Sequence, residues 1–186
     1  MLVIDVDRGD GWADNIEELD EERKLVAIRI TKTLEAWRKA GGMVVFVVLI
    51  DVNRKQETTA QLVEDKPLKC LVCHLLPEKD QLAKFLGHRH GKNYEPVFVK
   101  TQNDAFTNSE LISFLRSKGI TKVFLAGCHT FVCVFETAIG ALKNGINVAL
   151  LKNCVYRQPD QKQEEVWFSE VTNSTTYSFG RSVSIE

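Results

Sequence analysis

Lys122-Val-Phe-Leu-Ala-Gly-Cys-His-Thr-Phe-Val-Cys-Val-Phe-Glu-Thr-Ala-Ile-Gly-Ala-Leu-Lys-Asn-Gly-Ile-Asn-Val-Ala-Leu150 decides the fold. Lys122 to Ala126 has the short apolar run of a strand, Val132 to Lys143 carries apolar residues at helical spacing, Gly145 stops that helix, and Ile146 to Leu150 is a second strand. A helix between two strands is the usual parallel crossover, because parallel neighbours need about a dozen or more connecting residues. The same rhythm runs just upstream, with Ser109 to Lys118 as helix and Gly119 as its stop.

Working outward toward the N-terminus, Met43 to Ile50 is an uninterrupted apolar run, the pattern of a strand covered on both faces. Before it, Asn15 to Lys39 places Ile16, Leu19, Leu25, Ile28, Leu34 and Trp37 at approximately helical intervals, and Gly41-Gly42 ends the helix. Leu2 to Val6 and Pro96 to Val99 read as further strands, and Asp80 to Leu86 as a helix; Asp51 to Lys69 is polar and unpatterned. The expected architecture is α/β and three-layer: a mostly parallel sheet with helices on both faces, forming a single domain over residues 1–186.

The composition narrows the partners. Of 186 residues, 24 are Lys or Arg and 25 Asp or Glu, for a formal charge of -1, so no net field gathers phosphate backbone or anionic lipid. No apolar run approaches the about 20 residues of a membrane-spanning helix. Neither nucleic acid nor membrane is an expected partner; a small molecule is. The chain enters Leu2 without a basic leader, and its five cysteines are too few and too odd in number for a disulfide scaffold. Reduced thiols and a cytoplasmic location are the expectation.

In sheets of this kind ligands bind beyond the carboxyl ends of the strands. Asp5, Lys100 and Cys133 each stand at or just after such an end. Cys133 lies near the opening of the Val132 to Lys143 helix, where the helix dipole and a nearby ammonium from Lys100 favour a thiolate. Asp5 is positioned to accept its proton, the base-plus-nucleophile pairing of covalent catalysis. From spacing alone the plainer alternative stays open: a buried thiol, a turn aspartate and a surface lysine.

Phe124-Leu-Ala-Gly-Cys-His-Thr-Phe-Val-Cys-Val-Phe-Glu-Thr-Ala-Ile-Gly-Ala141 resembles the signature of the isochorismatase-like cysteine hydrolases. Leu2-Val-Ile-Asp-Val6 is similar to that family's opening strand, and Val99-Lys-Thr-Gln-Asn-Asp-Ala-Phe-Thr-Asn-Ser-Glu-Leu111 to its lysine segment, in the family's order. The resemblance implies a Rossmann-like sheet and an Asp-Lys-Cys triad on Asp5, Lys100 and Cys133. It also implies a non-proline cis peptide joining Cys128 to His129, with backbone N–H groups there and at Cys133 forming an oxyanion hole. Trp12 and Phe106 would lie beside the triad and stack on a planar substrate, although as core aromatics they would be unremarked. The implied activity is hydrolysis of an amide or carbamoyl-type C–N bond through a thioester. The alternatives are isochorismatase-type ether hydrolysis and a catalytically silent relative that binds or assembles. Family members are commonly oligomers, so a homo-oligomer, dimer or larger, is expected.

The departures bear on substrate and metal. Nicotinamidases of the family carry Asp-x-His and a further His after the second strand; here the match reads Asp51-Val52-Asn53, with no His until His74. The metal site is expected to be lost and no cofactor is called for, while Asp51 and Asn53 still line the pocket. Phe131 replaces a frequent aspartate, and Asp7-Arg8 replaces a usual Gln-Asn. Cys70-Leu-Val-Cys-His74 matches a haem-attachment or paired-thiol pattern, but a zinc site needs four ligands and haem attachment an exported protein, so packing is the better reading.

Overall fold

The computed structural model describes residues 1–6, 20–49, 95–156 and 183–185. In chain order these form β1 (Leu2–Ile4), α1 (Glu21–Lys39), β2 (Val45–Leu49), β3 (Val97–Lys100), a 3-10 turn (Ala105–Thr107), α2 (Ser109–Ser117), β4 (Lys122–Gly127), a π turn (Thr130–Val134), α3 (Phe135–Lys143), β5 (Asn147–Val155) and β6 (Val183–Ile185). The strands make one six-stranded sheet in the order β3-β2-β1-β4-β5-β6, and every described pairing is parallel. The expected α/β architecture is present.

Strand alternation divides the core in two. Along β1, Leu2 and Ile4 face one side, where they join Val45, Val47, Phe98, Leu125 and the buried residues of α2 and α3. Val3 faces the other, with Phe46, Val48, Ala126 and the Val26, Ala27, Ile30 and Leu34 face of α1. Helices therefore cover both faces, and the central strands are apolar throughout because neither side meets water.

Local chemistry sets the helix ends. The Asp20 side chain accepts the Arg23 N–H at 2.8 Å, and Glu21 and Glu22 in the first turn with Arg38 and Lys39 in the last complement the helix dipole. Asn108 caps α2 by accepting from the N–H groups of Glu110 and Leu111. Gly41, Gly119 and Gly145 follow the helices with φ of +75°, +65° and +78°, the left-handed turn that glycine makes without strain.

The differences from expectation are local. The helix expected over Val132 to Lys143 is a π turn followed by α3. β5 continues to Val155, past the expected Leu150: exposed Lys152 and Asn153 lie where its register against β4 shifts, and pairing resumes between Val155 and Gly127. β6 was not expected at all. The expected helix over Asp80 to Leu86 and the first residues of the Asn15 to Lys39 helix lie outside the described residues. Among the described residues no helix is long and apolar enough to cross a membrane.

The strand order reverses between β1 and β4, the switch point of the sheet. The chain leaves β1 and β4 toward opposite edges, and beyond the carboxyl ends at such a point is where sheets of this kind bind ligands.

Candidate active site

The backbone at that switch point is unusual. Asp5 follows β1 with φ +49°, a conformation non-glycine residues seldom adopt and Asp tolerates better than most. Two bonds hold it: its N–H donates to the Val47 carbonyl at 2.9 Å, and its own carbonyl accepts the Cys128 thiol at 2.8 Å. Opposite, Gly127 pairs with Ile4 at φ +125°, and a Cβ there would collide with the Ile4 carbonyl oxygen. Only glycine lets β4 run this close to β1.

Beyond Gly127 the peptide joining Cys128 to His129 is cis, as the sequence resemblance implied. The loop is tied down by Tyr156, whose carbonyl accepts both the Thr130 N–H at 3.1 Å and the Thr130 hydroxyl at 2.6 Å. The Tyr156 ring packs edge-on against His129, with the Arg23 guanidinium over its face. Of the expected oxyanion donors, Cys128 is corrected: its N–H already donates to the Ile4 carbonyl at 3.0 Å, a sheet bond that leaves it nothing for a ligand. His129 and Cys133 stay as candidates.

Lys100 ends β3, and its Nζ lies 2.6 Å from Asp5 Oδ2 with both side chains wholly buried. Asn108 fixes that strand end as well as capping α2, since its Nδ2 donates to the Val99 carbonyl at 2.7 Å. Cys133, 4% exposed, sits in the π turn, close enough to Asp5 and Lys100 for the charges of both to act on its sulfur. Of the three residues expected to converge, Asp5 and Lys100 are in contact, and Cys133 is near enough to feel the charge of both.

The electrostatics differ from the sequence expectation in one respect. Burial first, then the charge and hydrogen bond of Asp5, push the Cys133 thiol up to about 12, against the opposing pull of Lys100. The resting sulfur is a thiol, not the thiolate expected from helix dipole and lysine, because desolvation and a carboxylate both penalise its charged form. For Lys100, burial works to lower the pKa, but Asp5 and then Cys133 outweigh it and hold the ammonium above its ordinary range.

Around this centre the structure adds residues not singled out from the sequence. The Cys133 sulfur is 3.6 Å from Asn103 Oδ1, and Asn103 Nδ2 donates to Glu136 at 2.9 Å. Thr137 accepts the Ala105 N–H at 3.0 Å and donates to the Asn103 carbonyl. Nothing in local sequence distinguishes Asn103, whereas Asn108 before Ser109 carries a recognisable helix-capping signal. Phe106 is 5% exposed in the apolar core that also contains Cys133, which leaves its ring little surface for a ligand. Trp12, Asp51 and Asn53, like Cys70, Cys73 and His74, lie outside the described residues.

The fold has counterparts among known proteins. The fold matches a nicotinamidase PncA from Bacillus subtilis at TM-score 0.62 and 25% identity, covering 98% of this chain and 97% of that one. It also matches an N-carbamoylsarcosine amidase from Thermoplasma acidophilum at TM-score 0.62 and 19% identity, over 99% and 94%, which speaks to the fold alone. By sequence it is 31% identical over 78 residues to a maleamate amidohydrolase of Pseudomonas putida, covering 42% of this chain and 37% of that protein. A PncA protein of Bacillus subtilis, of the isochorismatase family, is 32% identical over 80 residues, covering 44% of its length. The sequence matches thus span less than half of these curated relatives. Residues 1–172 match the isochorismatase domain, and the chain belongs to the isochorismatase family.

Proposed function

We propose that this protein is a metal-independent cysteine hydrolase, a single catalytic domain that cleaves the C–N bond of a small amide or carbamoyl compound. The observation that carries the reading is the wholly buried Asp5–Lys100 pair at 2.6 Å, whose charges both act on the Cys133 sulfur. A buried ion pair is poor evidence for stability, because desolvation offsets most of its attraction. Beside a thiol it has a chemical use. The amide-cleaving names of several relatives support the bond class, and Asn53 standing where nicotinamidases have histidine supports chemistry without a metal.

Since the resting sulfur is protonated, its activation coincides with attack. Asp5 takes the thiol proton as sulfur adds to the substrate carbonyl carbon, and the carbonyl electron pair moves to oxygen, held by the N–H groups of His129 and Cys133. Collapse breaks the C–N bond, the leaving nitrogen takes the proton from Asp5, and a thioester remains. Asp5 then deprotonates a water that adds to the thioester. Expulsion of the sulfur, which regains that proton, frees the carboxylic acid. Lys100 stays protonated throughout and balances negative charge as it moves between Asp5 and sulfur.

A panel of small amides, ureas and vinyl ethers, run with wild type and Cys133→Ala, tests this. Amide turnover should fall by at least about 10³-fold without the sulfur. Amide hydrolysis that survives Cys133→Ala would overturn the reading, and vinyl ether cleavage that survives it would favour the ether hydrolase.

A further inference from the structure

Besides Asp5 and Lys100, a third polar group meets the Cys133 sulfur. Asn103 Oδ1 accepts from the Cys133 thiol at 3.6 Å, a sulfur-length contact, while its Nδ2 donates to Glu136 Oε1 at 2.9 Å. Its backbone is fixed from the other side, because the Thr137 hydroxyl donates to the Asn103 carbonyl. Asparagine presents an acceptor on one side of its amide and donors on the other, and a half-turn exchanges them. A carboxylate only accepts. Glu136, on the exposed surface of α3, therefore dictates which side faces the sulfur.

We propose that Asn103 is a positioning residue that holds the resting Cys133 proton on sulfur, and that Glu136 sets its polarity by drawing Nδ2 outward so that Oδ1 faces the thiol. This rests on the hydrolase reading for its purpose: a nucleophile kept protonated is spared from stray electrophiles until substrate recruits Asp5. Among the described residues the charged groups acting directly on the sulfur are Asp5 from β1 and Lys100 from β3. Asp104 and Lys143 stand farther out with Glu136, and Asp104 feels Lys143, Glu136 and Lys100.

The test is the rate of Cys133 alkylation by iodoacetamide, resolved by peptide mass spectrometry, with buried Cys128 and Cys154 as internal monitors of unfolding. Below the thiol pKa that rate follows the thiolate fraction. Asn103→Leu removes an acceptor from the protonated form and should speed alkylation about threefold. Asn103→Asp sets a like charge beside the developing thiolate and should slow it about tenfold. A purely structural role would move both variants the same way. Glu136→Gln, which can still accept from Nδ2, should leave the rate within about twofold of wild type. Glu136→Lys offers only donors, turns the amide and should speed alkylation about tenfold, and most of that gain should vanish in Asn103→Leu/Glu136→Lys. Equal gains in the two backgrounds, or rates in Asn103→Leu and Asn103→Asp that shift together, would overturn the proposal. Amide turnover measured alongside separates the two failures, because loss of the hydrolase reading leaves the alkylation rates standing, and superimposable alkylation rates leave turnover intact.

Discussion

The two ends of this sheet are built by different rules. At the amino ends, Gly119 and Gly145 close helices with φ near that of a left-handed turn, and around Gly119 an added Cβ would meet nothing within 4 Å. At the carboxyl ends, Gly127 is required by a direct collision with Ile4, Asp5 takes a positive φ, and a cis peptide and a π turn follow within seven residues of Gly127. Glycine at one end relieves backbone torsion; at the other it makes room. Regular packing builds the scaffold, and departures from regularity are gathered where the proposed chemistry would be.

The largest expected break in this comparison is Gly127→Ala. Its methyl group has backbone on the opposing side, so we expect a loss of more than about 5 kcal/mol, seen as absence of a cooperative urea transition. A folded Gly127→Ala within 1 kcal/mol or so of wild type would show that β1 and β4 need not approach so closely.

Next comes the buried pair. Lys100→Met or Asp5→Asn leaves one charged or polar partner buried alone, and each should cost about 3–5 kcal/mol by denaturant unfolding. The double variant should cost less than the two singles added together, since the unpaired partner is gone in both. Strict additivity would mean that the pair contributes nothing as a pair.

A smaller effect appears at high pH. Cys133 is raised from 9.0 to about 12, so the native protein keeps a proton that the unfolded chain gives up. Its contribution is fully present below pH 9.0, and stability falls as pH rises from there toward about 12. Lys100, raised above 10.5, adds to the same alkaline loss. Cys133→Ala should therefore show a shallower decline of unfolding midpoint across the alkaline range, measured in urea titrations; an unchanged decline would remove the thiol from the account.

The smallest effect sharpens the opening contrast. Gly119→Ala, at the regular end, should cost only about 1 kcal/mol, the torsional penalty of a left-handed alanine, and should be read as a modest shift in melting temperature.

Much of this was legible before any coordinates. Met43 to Ile50 announced a strand covered on both faces because a central strand must be apolar throughout, and β2 occupies its middle. Asp5, Lys100 and Cys133 were marked by lying at strand ends and by family resemblance; Asp5 and Lys100 are in contact, and the charges of both act on Cys133. What was not legible has physical causes. Val183–Ile185 is too short to show a period, yet β5 recruits it as an edge strand. The π turn at Thr130–Val134 is a choice between hydrogen-bond partners one residue apart, and ties such as that from Thr130 to Tyr156, distant in sequence, bear on it.

The order of residues alone carried the alternation of strands and helices and the candidate set Asp5, Lys100 and Cys133, because periodicity and residue chemistry are properties of the chain. The folded packing settled that burial and Asp5 hold the Cys133 sulfur protonated, that the Cys128 N–H is spent on the sheet, and that Asn103 reaches that sulfur. Protonation and hydrogen-bond partnership depend on what surrounds a group and how much water it has lost, and a linear order of residues specifies neither.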